Sequence, residues 1–506
     1  MLKQLKLIKI SSSLVAIFCF VLLVFIPLYP KLPAIEIPQT HVRVRLEDFV
    51  VFFALLTSLP FLYQERARVF KQPVSQAIIV YWLVGLASTI SALFITRLVW
   101  PHLAILHFLR RIEYMGLFFL GLLAIRSKKD FRVFLLTFFV VIGLIFLYGL
   151  GQRYLSFPAF STMDAELAKG APIELTIWTR VSSTFAGHYD LAIFMTLAMP
   201  IILAMFFFFK GTIKRAIFLF LFVACYYLLI LTASRISFVA YLVSISFLLV
   251  LIKRKWWLPP IIFLSLAGSF FSEDISQRFF ATIRVRESRV IQKIVTPIES
   301  LLSRQKQKEV VQKITPTPTP AIIKEKPEAI SPPVEVGPGV VTPGVIPVIT
   351  PKPIPIVTPI PPPSRQEIIQ VGVERSGNIR FQVSWPRAIR HFKKSPLLGT
   401  GFSSITLATD NGYLRALGET GILGFLAILG VFLAQIPFYC HYLFLAKPVN
   451  RKVKFLVAGL CASTLALLAN TIFIDALEAS KVAFSYWLIL GLFIGRANLE
   501  TTNENK

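Results

Sequence analysis

The sequence predicts an all-α polytopic membrane protein with about twelve transmembrane helices. Of its 506 residues, 55% are hydrophobic and only 16% are charged, and the mean hydropathy is +0.70. Soluble domains carry about 25% charged residues. Apolar runs of about 20 residues recur along most of the chain, which is the length that crosses a ~30 Å hydrocarbon core as a helix.

Twelve apolar segments account for most of the chain. They lie at residues 11–29, 46–63, 74–95, 103–125, 133–151, 189–209, 216–233, 236–252, 256–272, 417–444, 455–474 and 482–495. The first follows a basic N-terminus and has prolines where a small-residue cleavage site would stand, so we expect a retained helix. The fourth contains Arg110 and Glu113, which have the spacing of a pair on one helix face.

The loops between these segments fall into two sets of different charge. Taken alternately, one set holds 20 Lys and Arg against 2 acidic residues, whereas the other holds 9 against 8. The basic set comprises residues 1–10, 64–72, 126–132, 210–215, 253–255 and 447–454. Because short basic loops stay in the cytoplasm, both termini are predicted to be cytoplasmic and the other set to be exterior.

Two of the exterior loops are long, at residues 152–187 and 273–416. The second loop divides the chain into two parts. Nine helices are predicted within 1–272, and three helices with a cytoplasmic tail within 417–506. The large loop begins with residues 274–313, where basic residues stand among apolar ones. That pattern predicts an amphipathic helix at the membrane surface.

The middle of the large loop is rich in proline. Residues 315–363 hold 16 prolines in 49 positions. Proline fixes φ and removes a backbone donor, so the tract predicts an extended polyproline II spacer of roughly 150 Å at full stretch. It is either a disordered insertion in a tolerant loop or a wall-spanning or glycosylated spacer. A further hypothesis makes the tract the functional part and the membrane domain its anchor.

Composition argues against several kinds of site. The four cysteines lie in apolar runs without CxxC spacing and are interpreted as packing residues. No two of the seven aspartates form an Asp-x-Asp pair, which disfavours a metal-dependent sugar-nucleotide transferase, and we expect no metal and no cofactor. The net charge of +27 requires no nucleic acid, because cytoplasmic loops and contacts with anionic membrane lipids account for it.

Polar residues suited to chemistry stand at the exterior ends of the apolar segments. This placement favours an enzyme that acts at the outer surface, because a transporter tends to hold polar residues at mid-depth in interrupted helices. The candidates are Glu47, Asp48, Arg180, His188, Asp190, Arg235, Arg380, Asp410, Asn411 and Glu419.

At three of these places the sequence resembles the superfamily of O-antigen ligases and O-antigen polymerases. The first is the stretch Arg180-Val-Ser-Ser-Thr-Phe, and the second is Leu231-Thr-Ala-Ser-Arg-Ile-Ser. The third begins with Ser395-Pro-Leu-Leu-Gly-Thr-Gly-Phe and continues with Asp410-Asn-Gly-Tyr. The resemblance covers roughly residues 130 to 495 without the proline tract.

The third stretch is the most specific, and it also departs from the family pattern. Asn411, Gly421 and Gly424 keep the family's spacing. Asp410, however, stands where the ligases have the histidine that is regarded as their base. An aspartate at this place is more similar to members described as polymerases or ligase-like proteins.

The resemblance implies a GT-C-like helical bundle with a large exterior loop, in the inner (plasma) membrane of a bacterium. It also implies glycosyl transfer on the outer face of that membrane. The donor would be a glycan on a polyprenyl diphosphate, and the acceptor a hydroxyl of a glycan, lipid or protein. The alternative function is a transporter or flippase of lipid-linked saccharides.

The resemblance also implies the binding site for the leaving diphosphate. Arginine binds phosphate oxygens bidentately and never deprotonates, so it can neutralise this anion without metal. Arg180, Arg235 and Arg380 are the predicted ligands. The alternative for Arg180 and Arg235 is an interfacial side chain that reaches for lipid headgroups, and for Arg380 a solvated loop cation.

Three further candidates are predicted to act on the acceptor. Asp410 or His188 would take the proton of the attacking hydroxyl, and Glu419 would orient substrate hydroxyls. Each has a structural alternative: a helix cap for Asp410, a packed interfacial ring for His188, and a favourable helix-dipole interaction for Glu419. Asn411 and Asp190 are candidates without an assigned role, and Glu47 and Asp48, which resemble the acidic start of the second span in this family, are interpreted as helix caps.

Overall fold

The computed structural model of the protein describes most of the chain outside the large exterior loop. The described residues are 2–38, 40, 43–162, 167–175, 179–270, 377–405, 408–445 and 450–504. The predicted amphipathic segment 274–313 and the proline tract 315–363 lie outside them.

The described chain is almost entirely helical. Ten of its helices precede the large loop: α1 Leu2–Leu28, α2 Leu46–Gln64, α3 Arg66–Phe70, α4 Pro73–Ser91, α5 Pro101–Ala124, α6 Lys128–Tyr154, α7 His188–Phe208, α8 Thr212–Leu231, α9 Arg235–Leu251 and α10 Leu258–Phe270. Five of the described helices follow it: α11 Trp385–Lys394, α12 Gly412–Leu433, α13 Ile436–Cys440, α14 Arg451–Thr471 and α15 Ser480–Glu504. Single π-helical turns lie at Ala92–Thr96, Ile379–Ser384 and His441–Leu445.

The described parts of the twelve predicted apolar segments lie largely in these helices, and the segment 417–444 comprises most of α12, α13 and the π-helical turn that follows. Eight helices of the described residues are long and apolar enough to cross a membrane, and Leu14–Leu28 and Arg235–Leu251 are shorter apolar helices. Charged side chains lower the hydropathy of α5, and only 13 residues of α10 are described. The chain is therefore a multi-pass membrane protein, whereas the total of twelve spans and the GT-C-like arrangement stay predictions.

Two short extended pieces depart from the all-α prediction. Pro33–Ile35 pairs antiparallel with Val44–Arg45 in the connection between α1 and α2. An isolated bridge joins Ala159 to Ile173 in the connection between α6 and α7. Proline-rich and loop residues favour extended backbone, and both pieces lie outside the helices, so the helical class is unchanged.

The centre of the bundle is built on α7 and α15. Every residue of α7 from Leu191 to Phe207 is buried, as expected of a helix that is apolar on all sides. It packs against α8, α9 and α14, while α15 packs against α5. A Cβ on Gly491 would lie 2.1 Å from the carbonyl oxygen of Phe118, so glycine lets the backbones of α5 and α15 touch.

Helix α12 is interrupted at Gly421. The φ of 67° and ψ of −169° at this residue belong to a region of backbone conformation that is essentially restricted to glycine. The break frees carbonyl groups on the N-terminal half of the helix and amide groups on its C-terminal half. Such groups need partners when they are buried.

The segment 396–401 supplies these partners. The amides of Thr400 and Gly401 donate to the carbonyls of Gly418 at 3.1 Å and Glu419 at 2.8 Å. In return, the amides of Ile422 and Leu423 donate to the carbonyls of Pro396 at 2.8 Å and Leu397 at 3.2 Å. We call the segment 396–401, which bonds both sides of the break, the splice.

Substitution of Gly421 is expected to destabilise the protein. Alanine there would be strained by about 1–3 kcal/mol through its φ alone, and its Cβ would lie 2.3 Å from the carbonyl oxygen of Leu397. Gly430→Ala, on the same helix with nothing within 4 Å of the added Cβ, is the control and should gain up to about 1 kcal/mol. Melting temperatures in detergent would test this, and equal values for the two variants would contradict it.

Several connections meet at one end of the bundle, which we call the loop end. It comprises the described residues of the connections 29–45, 155–187, 232–234, 395–411 and 472–479. The Lys481 ammonium donates to the carbonyls of Pro27 at 3.2 Å and of Tyr29 and Thr184 at 2.6 Å each. Ser88 Oγ likewise donates to the Leu398 carbonyl at 2.6 Å. These bonds hold distant parts of the chain together.

The acidic start of α2 also lies at the loop end. Asp48 Oδ2 accepts the Arg45 amide at 2.9 Å, as a first-turn cap does, and pairs with Arg110 at 3.1 Å. The sequence predicted a pair of Arg110 with Glu113 instead. The fully buried Glu47 accepts from Ser480 Oγ at 3.2 Å, so both acids serve the packing of helix ends.

Candidate active site

Arg180 stands in a loop that is fixed by polar contacts before α7 begins. The Gln152 side chain accepts the Ser183 amide at 2.7 Å and donates to the Ser183 carbonyl at 2.8 Å. Ser183 Oγ donates to the Ile145 carbonyl at 2.7 Å, and Thr184 Oγ1 donates to the Pro27 carbonyl at 2.7 Å. The guanidinium of Arg180 is therefore presented from a preorganised loop.

Arg235 is the first residue of α9. The preceding Ser234 is its N-cap and bonds Ser237 Oγ at 2.9 Å. Ser237 Oγ in turn donates to Asn470 Oδ1 on α14 at 2.7 Å. The positive end of a helix dipole and free backbone amides lie at such an N-terminus, so the surroundings of Arg235 favour a negative group.

Arg380 is held in the π-helical turn Ile379–Ser384. It is 7% exposed, and its Nε donates to Asp410 Oδ2 at 3.0 Å. The pair joins this π-helical turn to the residue that precedes α12 by two positions.

The side chain of Tyr189 connects the three arginines. Its hydroxyl interacts with the guanidinium groups of Arg180 and Arg380, and Arg180 Cζ lies 6.0 Å from the ring centroid. Arg235 lies close enough to interact electrostatically with Tyr189, Arg180 and Arg380. We call these four residues the arginine cluster. Like charges held together in a partly buried place are costly unless an anion compensates them.

Asp410 faces the arginine cluster from the loop before α12. Its φ of 53° is left-handed, and its carboxylate is turned toward Arg380 and away from the helix. The cap of α12 is Asn411, whose Oδ1 accepts the amides of Tyr413 at 3.1 Å and Leu414 at 3.0 Å. Asn411 is therefore the helix cap, and the Asp410 carboxylate pairs with Arg380 instead of capping the helix.

The environment of Asp410 changes its acidity. Burial raises the pKa of this carboxyl, the Arg380 guanidinium lowers it, and the nearby Asp475 carboxylate raises it, with a net rise. A carboxylate with a raised pKa is a stronger base than one in water.

His188 is the first residue of α7, and its Nε2 lies 2.5 Å from Arg180 Nη1. A guanidinium only donates hydrogen bonds, so Nε2 is the acceptor and the imidazole proton resides on Nδ1. The lone pair on Nε2 of His188 therefore accepts the hydrogen bond from Arg180. Asp190 pairs instead with Lys31 at 3.6 Å, which ties the start of α7 to the connection after α1.

Residues 217–429 match the family model described as O-antigen ligase. These 213 of the 506 residues are thus similar to O-antigen ligases, and we refer to this region as the O-antigen ligase domain. The match supports the resemblance to the ligase and polymerase superfamily. No curated protein matches the chain.

The O-antigen ligase domain covers only part of the arginine cluster. It contains Arg235 and Arg380 together with Asp410, whereas Arg180 and Tyr189 precede it in the chain. Family members of this type use lipid-linked glycans in a membrane. The cluster is therefore assembled from the domain and from the helices that come before it.

Glu419 lies within the O-antigen ligase domain but apart from the arginine cluster. It is 2% exposed, and its Oε1 accepts from Arg415 Nε at 3.2 Å. Arg111 pairs with Glu478 nearby. Burial raises the pKa of the Glu478 carboxyl, but Arg111 and Arg415 outweigh burial and hold this pKa at about 2. We call Arg111, Arg415, Glu419 and Glu478 the charge-paired cluster.

Sequence reasoning did not single out Asp475. Its carboxylate accepts the amides of Thr409 at 2.8 Å and Asn411 at 3.1 Å, and it pairs with Arg415 Nη1 at 3.1 Å. It thereby braces the loop that carries Asp410. The only available signal was an acidic residue in a short loop between two apolar segments. Tyr189 and Lys481 were missed because an aromatic residue or a lysine at a span end is ordinary.

Proposed function

We propose that this protein transfers a glycan from a polyprenyl-diphosphate donor to an acceptor hydroxyl on the outer face of a bacterial inner membrane. The observation that carries the proposal is the meeting of Arg180, Arg235 and Arg380 around Tyr189, with Asp410 bonded to one of them. Helices α7 and α9 both begin at this cluster. The O-antigen ligase domain supports the same class of reaction.

In the proposed reaction, the oxygen of an acceptor hydroxyl forms a bond to the anomeric carbon of the donor. The bond between that carbon and the diphosphate oxygen breaks, and the lipid diphosphate leaves with the electron pair. The three guanidinium groups would bind the phosphate oxygens and stabilise the charge that develops on them. The loop contacts of Arg180 and the cap of α9 fix two of these groups before substrate arrives.

The proton of the attacking hydroxyl would pass to Asp410. While the site is empty, Arg380 holds the Asp410 carboxylate; a bound diphosphate would compete for the same guanidinium. Release of Arg380 to the diphosphate would remove a positive neighbour from Asp410 and strengthen it as a base. Donor binding and base activation are linked in this way.

A transporter of lipid-linked saccharides would be expected to have interrupted helices that line a cargo-binding site at mid-depth in the membrane. α12 is interrupted at Gly421, but the splice donates to and accepts from the backbone groups that the break exposes. Those groups bind the protein's own chain, so the break does not favour a cargo site. The proposal therefore keeps the enzyme as the function.

Purified protein in liposomes would test the proposal against the transporter. The donor would be a polyprenyl-diphosphate-linked oligosaccharide, and the acceptor a second oligosaccharide with free hydroxyls. A glycosyltransferase releases free polyprenyl diphosphate and lengthens the acceptor. Movement of intact donor between leaflets without release of the lipid diphosphate would overturn the proposal in favour of the transporter.

Cysteine labelling would test the orientation. In a chain whose four natural cysteines are replaced, Val340→Cys is expected to react with a membrane-impermeant maleimide added outside intact spheroplasts. Thr212→Cys should react only after permeabilisation, because the positive-inside rule puts residues 210–215 in the cytoplasm. The reverse pattern would place the arginine cluster on the wrong face for the proposed reaction.

A further inference from the structure

A cavity of about 120 Å³ lies beside the first turns of α12. One buried water requires about 10–15 Å³ of such space, so the cavity has room for a ligand larger than a few waters. Its polar wall is the charge-paired cluster. Its apolar wall includes Tyr413, Phe402 and Trp487.

One polar atom in the wall of this cavity has no hydrogen-bond partner among the described residues. Arg111 is 5% exposed, and its Nη2 is bonded to Glu478, but its Nη1 is buried, and no described residue accepts a hydrogen bond from it. A buried guanidinium donor left in this state costs free energy that a ligand acceptor would recover. Arg111 also stacks over the ring of Phe402, with Cζ 5.4 Å from the centroid, which fixes its position.

The charges of the wall indicate the chemistry of the ligand. Two guanidinium groups face two carboxylates, so the wall is already balanced and gains little from a charged ligand. Guanidinium groups only donate and carboxylates only accept hydrogen bonds, whereas each sugar hydroxyl does both. A neutral hydroxyl-bearing ring therefore suits the polar wall, and its C–H faces and any lipid tail suit the aromatic and aliphatic wall.

The cavity also adjoins the predicted reaction centre. Tyr413 and Arg415, which line it, follow Asp410 by three and five residues. Asp475 links the two places, since it bonds the amides on either side of Asp410 and also Arg415. A hydroxyl presented from this cavity would approach the loop that carries Asp410.

We propose that this cavity is the acceptor site, and that it takes a neutral sugar of an amphiphilic glycan acceptor separately from the diphosphate site. The inference rests on the proposed function, because only glycan transfer gives this protein an acceptor to bind. Arg111 and Glu478 bind hydroxyls, Glu419 orients them, and the apolar wall holds the ring face. This restores to Glu419 a role on substrate hydroxyls, at a place distinct from the arginine cluster.

Photolabelling of the full chain in nanodiscs would test the acceptor site. The probe is octyl β-glucoside with a diazirine in its alkyl chain, and labelled peptides are mapped by mass spectrometry. We expect label on the cavity-lining part of α12, and we expect unlabelled octyl glucoside to displace it. An octyl amine oxide, which shares the tail and lacks the sugar, should displace it far less.

Two variants separate the cavity from the general packing of α12. Ala416→Phe fills the cavity while keeping all four charges and should abolish the label. Leu426→Phe, on the same helix but 51% exposed and outside the cavity lining, should leave the label unchanged. If Ala416→Phe fails to fold, Arg111→Lys, which keeps the charge but loses the forked donor, should weaken probe binding by about tenfold.

The outcomes distinguish the two proposals. Equal displacement by the amine oxide, displacement by polyprenyl diphosphate, or unchanged label in a folded Ala416→Phe variant would each overturn the acceptor site. Binding of polyprenyl diphosphate, measured on the same samples, reports on the arginine cluster. Intact probe labelling without diphosphate binding would instead overturn the proposed function.

Discussion

Arg235→Ala is expected to lower glycan transfer by about 10²–10³-fold while the protein stays folded, because one donor to a developing oxyanion contributes that much. The side chain begins α9 and is partly exposed, so its loss leaves the Ser234 cap and the Ser237–Asn470 bond in place. Arg235→Lys should recover only part of the rate, since an ammonium lacks the bidentate fork.

Arg390→Ala is the matched control for this prediction. Arg390 is an exposed arginine of α11, ten residues after Arg380 in the same part of the chain, and its removal should leave transfer unchanged. The measurement is the initial rate of polyprenyl-diphosphate release, with the melting temperature as a check on folding. Equal rates for Arg235→Ala and Arg390→Ala would remove Arg235 from the diphosphate site.

Asp410→Asn is expected to lower transfer by about 10²–10⁴-fold, the contribution of a general base. The substitution is conservative in every other respect. Asparagine tolerates the left-handed backbone of this position, its side-chain oxygen can still accept from Arg380, and the cap of α12 belongs to Asn411. A small effect would mean that Asp410 only holds Arg380 in place.

The pH dependence provides a second measure of the same residue. Asp410 acts as a base only when it is deprotonated, and burial raises the pKa of its carboxyl. The rate should therefore fall as pH decreases through this raised pKa, at a higher pH than the ordinary aspartate value of about 3.9 would give. In Asp410→Asn that acidic decline should disappear. Asp130→Asn, which alters a helix cap at the opposite end of the bundle, should keep it.

The parts of the fold that follow from hydrophobic periodicity could be predicted from the sequence. The described parts of the twelve apolar segments lie largely in helices, and Asp48 caps its helix, because both follow from interactions within a short stretch of chain. The pairing of Arg110 with Asp48 could not be predicted, since it depends on which helix ends meet. Glycine spacing drew attention to Gly421 and Gly399. It could not predict that Gly421 breaks α12, or that Gly399 belongs to the segment that bonds the backbone groups exposed by this break.

The candidate site shows the same division. Motifs drew attention to Arg180 and Arg235, and position before an apolar segment drew attention to Arg380. The structure brings the three together, while their catalytic role stays a prediction. Glu419 carried an equally good sequence signal, yet its side chain faces Arg415 in another cluster. Asn411 and Glu419 are eight residues apart, a spacing that leaves two residues on the same side of an ideal helix. Helix periodicity therefore could not separate them, and only the packing of neighbouring helices decides which site each side chain meets.

The three carbonyls bound by the Lys481 ammonium belong to Pro27, Tyr29 and Thr184, at the end of α1 and in the Arg180 loop. In a chain synthesised from its N-terminus, the lysine that joins them emerges from the ribosome hundreds of residues after α1. Membrane insertion of the early helices therefore precedes completion of the Arg180 loop, which gains its last anchor only when α15 arrives. A nascent or truncated chain lacking α15 would lack one of the two central helices of the bundle as well as the anchor of the Arg180 loop. We therefore expect the proposed site to form only when synthesis of the chain is nearly complete.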